Sequence, residues 1–260
     1  MTDTSERPRL SVVVPCYQGE AYVAAALTRL RDHLRAEQDT LGRSEIILVD
    51  DGSSDRTAAI VETELPEVRL IRHERNRGKG AAVRTGVLAA EGEFIVFTDA
   101  DVPYDLQALE PMLDYLDRKE FHACIGTRAL SRMPPQVERG FARSAASWVF
   151  TELVSRIVVT GIRDTQAGFK GFRRRAARFL FGESRIDNFA FDVEVLYLAF
   201  KNDLDVKRLP VRLTVDDHSS VSLWRHAPAM LWALIQLPFR YHAGRYRSYD
   251  GPTSTEPGQD

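Results

Sequence analysis

The strongest constraint on the fold is a series of apolar runs that end in polar or acidic residues. Segments with helical spacing of apolar residues lie between these runs, as in EAYVAAALTRLRDHLRAEQ (20 to 38). A continuous apolar run is typical of a strand that is covered on both faces. The alternation predicts an α/β fold, Rossmann-like, with a mostly parallel central sheet. The predicted strands are LSVVVPCY (10 to 17), EIILVDD (45 to 51), VRLIRHE (68 to 74), EFIVFTDAD (93 to 101) and FHACIGTR (121 to 128).

Composition fits an enzyme-sized domain. The chain has 260 residues and 44% hydrophobic content, which is enough to bury a sizeable core. Its 35 basic and 37 acidic residues give a formal charge of -2, so we expect no nucleic-acid partner. Cys16 and Cys124 lie in or beside strand-like segments without CxxC spacing, a pattern typical of reduced thiols in a cytosolic protein.

Segment boundaries follow from the same pattern. We expect an N-terminal extension over residues 1 to 9, a single domain over residues 10 to 246 and a disordered tail over residues 247 to 260. The first nine residues contain no apolar h-region, so neither a signal peptide nor an anchor is expected there.

Polar side chains follow four of the predicted strands. Ligands of such sheets bind beyond the carboxyl ends of the strands. Asp99 and Asp101 stand two residues apart after the fourth strand, where mutual repulsion would oppose ionising both. A carboxylate-rich pocket accepts an anionic ligand when a divalent cation bridges them, and oxygen ligands favour Mg²⁺ or Mn²⁺. The other strand-end residues are Pro15, Tyr17, Glu20, Asp50, Asp51 and residues 76 to 80.

The loop RNRGKGAAVRTG (75 to 86) allows two interpretations. Gly78, Lys79 and Gly80 could bring backbone N–H groups and an ammonium to a diphosphate at a helix N-terminus. Alternatively, the glycines only permit a tight turn between strand and helix. GxxxxGK[ST] and GxGxxG are both absent from the sequence, which disfavours a P-loop NTPase or a dinucleotide enzyme.

Four motifs together resemble a known family. PCYQGE, VDDGSSDRT, NRGKGAAVRTG and DAD, in this order and spacing, are similar to those of the GT-A glycosyltransferases of family 2. In that family a DxD motif holds a metal on the diphosphate of a nucleotide sugar. GIRDTQAGFKGFRRR (161 to 175) and FAFDVEVLYLAF (189 to 200) resemble the branch that glycosylates polyprenyl phosphates, its glucosyl members first and its mannosyl members second.

The resemblance implies an activity and a division of the domain. Residues 10 to 105 would form a nucleotide-sugar-binding half, and residues 106 to 246 an acceptor-binding half. The implied enzyme is a metal-dependent inverting glycosyltransferase that moves glucose from UDP-glucose to a polyprenyl or dolichyl phosphate. GDP-mannose or UDP-N-acetylglucosamine as donor, a soluble non-lipid acceptor, and a non-catalytic nucleotide-sugar-binding protein stay open as alternatives.

The resemblance also implies roles for individual residues. Asp99 and Asp101 would hold Mg²⁺ or Mn²⁺. The implied nucleotide-sugar site comprises Pro15, Tyr17, Glu20, Asp50, Asp51, Lys79, Asp99 and Ala100. The implied catalytic residues are Asp99, Asp101, Arg128, Asp164, Gln166 and Lys170.

Acceptor binding is less well defined by the sequence. A basic element expected late in the family is absent from DDHSSVSLWRH (216 to 226), and Arg225, His226 or Arg212 would replace it. A basic residue that is a candidate for acceptor binding could instead be an ordinary surface arginine. An acidic candidate could instead belong to an ion-paired face of a helix. The candidates for the acceptor or its phosphate are Arg128, Lys170, Arg173, Asp192, Glu194, Arg212 and Arg225.

The segment from 222 to 240 combines tryptophan, phenylalanine and arginine. Its apolar part, residues 227 to 239, is too short to span a bilayer. It is predicted to lie in the plane of a membrane surface, or else to pack on the catalytic domain or in a homodimer contact. The expected location is therefore cytoplasmic, with peripheral attachment to the cytoplasmic face of a membrane.

Overall fold

A computed structural model describes residues 7 to 127, 167 to 214 and 223 to 251, with backbone alone for residues 223 to 231. The described chain is an α/β structure built on one seven-stranded sheet in the order β3-β2-β1-β4-β6-β5-β7. The strands are β1 (Leu10–Cys16), β2 (Ser44–Asp50), β3 (Arg69–Arg72), β4 (Phe94–Thr98), β5 (Ala123–Thr127), β6 (Phe169–Arg173) and β7 (Val206–Pro210).

Helices connect the strands within the described residues. They are α1 (Val23–Ala36), α2 (Gln38–Leu41), α3 (Thr57–Glu64), α4 (Lys79–Ala89), α5 (Leu109–Asp117), α6 (Arg174–Glu183), α7 (Phe191–Lys201) and α8 (Leu223–His242). A short 3₁₀ turn, Leu106–Ala108, precedes α5.

Strand direction decides which residues meet. β1 pairs in parallel with β2 and β4, and β2 with β3, so their carboxyl ends share one edge of the sheet. β6 runs antiparallel to β4 and β5, and Thr98 lies opposite Phe169. The amino end of β6 therefore lies at that shared edge. β7 is parallel to β5, so the residues that follow β7 also emerge there.

Both faces of the sheet are covered by apolar residues. One core combines Val13 and Phe97 with residues of α4, α6 and α7. The other combines Val12 and Val96 with residues of α1, α3 and α5. Burial on two faces explains why the central strands are continuous apolar runs rather than alternating ones.

The predicted α/β fold with a mostly parallel sheet is confirmed, and the five predicted strands all form. Cys16 and Cys124 are buried free thiols, and burial raises the pKa of each to about 12. The predicted start of a disordered tail at residue 247 is too early. The backbone N–H of Arg247 donates to Glu183, and that of Tyr249 donates to Asn202 at 2.8 Å.

Candidate active site

Asp99 is fixed from several sides at the end of β4. The ammonium of Lys79, at the start of α4, donates a hydrogen bond to its Oδ1. The hydroxyl of Tyr104 donates to its Oδ2 at 3.2 Å, and the backbone N–H of Gly168 donates to the same hydroxyl at 2.8 Å. A Cβ added to Gly168 would lie 2.1 Å from Oδ1 of Asp99, so only glycine fits there while Asp99 keeps this position.

Asp99 and Lys79 each shift the pKa of the other in the direction that favours its charged form. Burial alone would raise the pKa of Asp99, but Lys79 and then Lys170 outweigh it, so the pKa is lowered. Burial would lower the pKa of Lys79, but Asp99, Asp192 and Asp101 together raise it. Asp99 and Lys79 are therefore both charged at neutral pH.

Asp101 lies in the turn that follows Asp99 and is half-buried. Its charge contributes to raising the pKa of Tyr22 as well as that of Lys79, which places the carboxylate near both groups. The neighbouring Ala100 is also half-buried. Asp99 and Asp101 thus lie at one edge of the sheet.

Lys170 and Asp192 form a second ion pair beneath this edge. Nζ of Lys170 donates to Oδ1 of Asp192 at 2.7 Å and to the carbonyl of Ala167 at 2.6 Å. Burial raises the pKa of Asp192, and the charges of Lys170 and Lys79 oppose that rise. Lys170 is only 1% exposed, and its Nζ is bonded to Asp192 and Ala167 inside the protein.

Asp50 and Asp51, at the end of β2, have different surroundings. Asp51 accepts backbone hydrogen bonds from Arg77 at 2.9 Å and Gly78 at 2.8 Å, and its Oδ1 lies 2.7 Å from Nδ1 of His73. Asp50 accepts one hydrogen bond from the backbone N–H of Ser53 at 3.0 Å. Its buried Oδ2 accepts none from the described part of the chain, although Nε of Arg72 lies 3.5 Å away. Both oxygens of Asp51 therefore accept hydrogen bonds, whereas Oδ2 of Asp50 accepts none from the described residues.

The residues at the end of β1 line the same edge. Pro15 is buried within the strand, and Tyr17 is 48% exposed. Glu20 accepts a hydrogen bond from the backbone N–H of Arg56 at 2.9 Å, and its own N–H donates to Asp55 at 3.1 Å. A cleft of about 320 Å³, lined by Gly52, Ser53, Arg72, His73 and Glu74, lies beside Asp50.

The loop before α4 is held by the protein itself. The N–H of Gly78 donates to Asp51, and the N–H groups of Gly80 and Ala81 both reach the carbonyl of Asp187, at 2.7 and 3.3 Å. Gly78 has φ of +103°, and a Cβ there would lie 2.4 Å from the carbonyl oxygen of Asp187. The tight-turn interpretation therefore accounts for these glycines, while Lys79 is the group of the loop that reaches the site.

Two predicted acceptor residues are not brought to the site. Arg173 ends β6 at the opposite edge of the sheet, where its guanidinium donates to the carbonyls of Leu116 and Asp117. Glu194 is buried and accepts hydrogen bonds from the N–H groups of residues 185 and 186 and from the hydroxyl of Tyr246. Burial raises the pKa of Glu194, and these hydrogen bonds oppose the rise. In this arrangement both side chains bind groups of the protein itself, and their contact with the acceptor stays a prediction.

The remaining candidates divide into two groups. Arg212 follows β7, is exposed and lies at the carboxyl edge of the sheet. Arg225 belongs to α8, for which the structure describes only the backbone at this position. Arg128, Asp164 and Gln166 also lie outside the described residues.

Sequence reasoning missed several residues at this edge. Tyr104 carries no motif of its own in the sequence, yet its hydroxyl donates to Asp99. Arg29 reads as one more basic residue of an amphipathic helix, yet its guanidinium donates to the carbonyls of Asp101 and Val102. His73 could have been suspected, since it directly follows a strand end.

A parallel sheet whose strand ends gather Asp50, Asp99 and Asp101 has the architecture of the GT-A enzymes that use nucleotide sugars. Solved structures agree on this fold. A glucosyl-3-phosphoglycerate synthase from Mycobacterium tuberculosis, in complex with Mn²⁺ and UDP, has a TM-score of 0.62 at 16% identity, covering 90% of this chain and 82% of that one. A mannosyl-3-phosphoglycerate synthase from Rubrobacter xylanophilus has a TM-score of 0.61 at 17% identity, covering 96% and 79%.

The chain belongs to glycosyl transferase family 2, whose pattern matches residues 11–181. It is similar to a dolichyl-phosphate beta-glucosyltransferase from Dictyostelium discoideum, with 32% identity over 249 residues, 92% of this chain and 76% of the relative. The enzyme of the same name from Homo sapiens is 33% identical over 256 residues, 94% of this chain and 79% of the relative. The predicted family and glycosyltransferase class are confirmed.

Proposed function

We propose that this glycosyltransferase moves glucose from UDP-glucose to a polyprenyl phosphate, with inversion at the anomeric carbon and with a divalent cation. The observation that supports the substrate pair is the similarity to the dolichyl-phosphate beta-glucosyltransferases over more than nine-tenths of the chain. The arrangement of Asp99 and Asp101 at the sheet edge supports a nucleotide-sugar donor.

The residues present fit a magnesium or manganese ion. Across residues 7 to 127, 167 to 214 and 223 to 251, no group of three or more His, Cys, Asp or Glu could hold a metal by itself. An ion between Asp99 and Asp101 would therefore complete its ligands with diphosphate oxygens and water, as Mg²⁺ commonly does. The resemblance to the family makes Asp101 the more direct ligand, and Lys79 donates a hydrogen bond to one oxygen of Asp99.

Charge governs the reaction at this edge. An acceptor phosphate oxygen attacks the anomeric carbon from the side opposite UDP, the bond to the diphosphate breaks, and an α-linked donor gives a β-linked product. The cation, when bound, stabilises the charge that develops on the leaving diphosphate. A phosphate monoester has a second pKa of about 6, so the attacking oxygen is already ionised at neutral pH and needs no general base.

The described residues bind and orient the donor. The ammonium of Lys79 adds positive charge beside the carboxylates, while Tyr104 keeps Asp99 in one orientation. Of the two carboxylates at the end of β2, Asp50 is proposed for contact with the nucleoside, because the oxygens of Asp51 are engaged by its own loop. Arg212 stands at the same edge for the acceptor phosphate.

The exposed face of α8 supports contact with a lipid surface. Trp232, Ile235 and Phe239 are 63%, 41% and 73% exposed and share one helix face, while Leu234 and Leu237 are fully buried on the other. The exposed Arg245 and Arg247 follow the helix. No helix in the described part of the chain is long and apolar enough to cross a membrane. We place the enzyme at the cytoplasmic face of a membrane, attached through this helix face.

Sugar transfer to a short polyprenyl phosphate tests the proposal. Radiolabelled UDP-glucose, GDP-mannose and UDP-N-acetylglucosamine are compared with Mg²⁺, Mn²⁺ or EDTA, and the lipid phase is extracted and counted. We expect label in the lipid phase from UDP-glucose only when a metal is present. Label in the lipid phase from GDP-mannose or UDP-N-acetylglucosamine instead would mean that the enzyme transfers a different sugar. Label that moves only to soluble acceptors would overturn the polyprenyl phosphate.

A further inference from the structure

The turn after the DAD segment contains a backbone conformation that its residue disfavours. Val102 has φ of +47° and is fully buried. A β-branched residue in the left-handed region is a genuine outlier, because its Cβ crowds the following carbonyl oxygen. Such a conformation persists only where the surrounding structure holds it in place.

Arg29, the seventh residue of α1, holds this turn in place. Its guanidinium donates to the carbonyl oxygen of Asp101 at 3.3 Å and also to that of Val102. It donates as well to Oγ1 of Thr214 at 3.0 Å, and the N–H of Thr214 donates to the carbonyl of Pro103 at 2.8 Å. The two peptide units that flank Val102 are therefore both tied to α1.

The turn is closed from its other side as well. The N–H of Val102 donates to the carbonyl of Asp99 at 2.9 Å, which links the strained residue to the end of β4. The direction of the Asp101 side chain depends on these same peptide units. A planar guanidinium can bind two carbonyl oxygens and a hydroxyl at once, which a lysine ammonium at the same place does less well.

We infer that Arg29 is a positioning residue. By holding the left-handed turn at Val102, it fixes the backbone that carries Asp101, the residue that would hold the divalent cation. This inference rests on the proposed use of a cation by the donor site. Arg29 forms no ion pair with a carboxylate among the described residues, so its hydrogen bonds to the turn are its main contribution there.

The test measures Mn²⁺ binding in the presence of saturating UDP, by the electron paramagnetic resonance signal of free Mn²⁺. Groups that orient metal ligands typically change metal affinity by about tenfold to a hundredfold when removed. We expect such a loss in Arg29→Met and a smaller one in Arg29→Lys. Arg31→Met is the matched control, because Arg31 lies on the same helix but pairs with Asp32 and Glu67.

A second variant separates the turn from general damage to the helix. Glycine adopts positive φ readily, so Val102→Gly removes the strain that Arg29 opposes. We expect the double variant Arg29→Met/Val102→Gly to recover most of the lost Mn²⁺ affinity, with urea unfolding confirming that each variant is folded. Absence of recovery would overturn the role assigned to Arg29.

The outcomes also separate this inference from the proposed function. If the wild-type protein with UDP binds no Mn²⁺, both are overturned. If the wild-type protein binds Mn²⁺ and Arg29→Met binds it equally well, only the positioning role of Arg29 is overturned.

Discussion

Nζ of Lys170 lies 2.7 Å from Oδ1 of Asp192, and both side chains are almost completely buried. Removing one partner of a buried ion pair leaves an uncompensated charge, which costs about 3–5 kcal/mol. We therefore expect Lys170→Met to lower the free energy of unfolding by about that amount, as measured by urea denaturation. Lys170→Met/Asp192→Leu, which removes both charges, should recover much of the loss. A Lys170→Met protein that is as stable as the wild type but inactive would favour direct contact of Lys170 with the substrate.

The second prediction concerns Asp101. Asp101→Asn keeps the size of the side chain but removes the charge that a cation requires, so turnover should fall by at least about a hundredfold. The free energy of unfolding should change by less than about 1 kcal/mol, since the residue is only half-buried. Asp105→Asn is the control, because Asp105 caps the 3₁₀ turn through the N–H of Gln107 and asparagine caps equally well. Undiminished transfer by Asp101→Asn would remove the basis for the metal site.

The third prediction is a pH dependence of stability from Lys79 and Asp99. The pKa of Asp99 is lowered on folding, so its contribution is present above its unfolded pKa of about 3.9 and is lost as the pH falls through the folded value. The pKa of Lys79 is raised, so its contribution is present below about 10.4 and is lost as the pH rises through the folded value.

The destabilisation of Lys79→Met should therefore be largest between about pH 4 and pH 10. We expect about 1–3 kcal/mol there, because the pair is only partly exposed. Urea denaturation at pH 3, 7 and 11 measures it. Lys119→Met, which removes an exposed pair with Asp114, should cost under about 1 kcal/mol at each pH. A cost that is the same at all three pH values would mean that packing, not charge, explains the effect of Lys79.

How far the sequence determined this site depends on the kind of interaction. The strand ends that hold Asp50 and Asp99 were readable because a buried parallel strand is a continuous apolar run. β6 (FKGFR) was missed because Lys170 interrupts its apolar pattern, and the burial of a lysine depends on a partner 22 positions away. Missing the antiparallel direction of β6 also misplaced Arg173, since direction decides which end of a strand faces the site.

Other features leave no local signal at all. The positive φ of Val102 is forced by contacts with α1, and valine itself predicts the opposite. The hydrogen bonds from Arg29 to the turn join residues 72 and 73 positions apart. The apolar spacing of the helix therefore predicts only that Arg29 is a partly exposed basic residue. Asp50 and Asp51 are identical in type and adjacent, and only the fold of the loop from 73 to 78 distinguishes their hydrogen bonding.

The fourth prediction concerns the exposed aromatic residues of α8. Burying an exposed Trp or Phe side chain in an apolar phase is worth about 1.5–3 kcal/mol, so Trp232→Ser/Phe239→Ser should weaken partitioning onto anionic phospholipid vesicles by at least about tenfold. Cosedimentation with the vesicles measures it. Leu88→Ser, at an exposed leucine on α4, is the control and should partition normally. Equal partitioning of the wild type, the Trp232→Ser/Phe239→Ser variant and the Leu88→Ser variant would contradict membrane contact through this helix face.

The fifth prediction uses the contact between Gly168 and Asp99. A Cβ at position 168 would lie 2.1 and 2.2 Å from the two carboxylate oxygens of Asp99, so the carboxylate must move to make room for it. Gly168→Ala should therefore displace Asp99 and lower both Mn²⁺ affinity with UDP and sugar transfer by at least about tenfold. Gly182→Ala is the matched control. A Cβ there meets nothing within 4 Å, and alanine in place of a helical glycine should stabilise the protein by up to about 1 kcal/mol. Because Gly168 has no side chain of its own, a loss in Gly168→Ala alone would tie activity to the position of Asp99 rather than to a missing group, and normal Mn²⁺ binding by Gly168→Ala would show that Asp99 is not needed in that position.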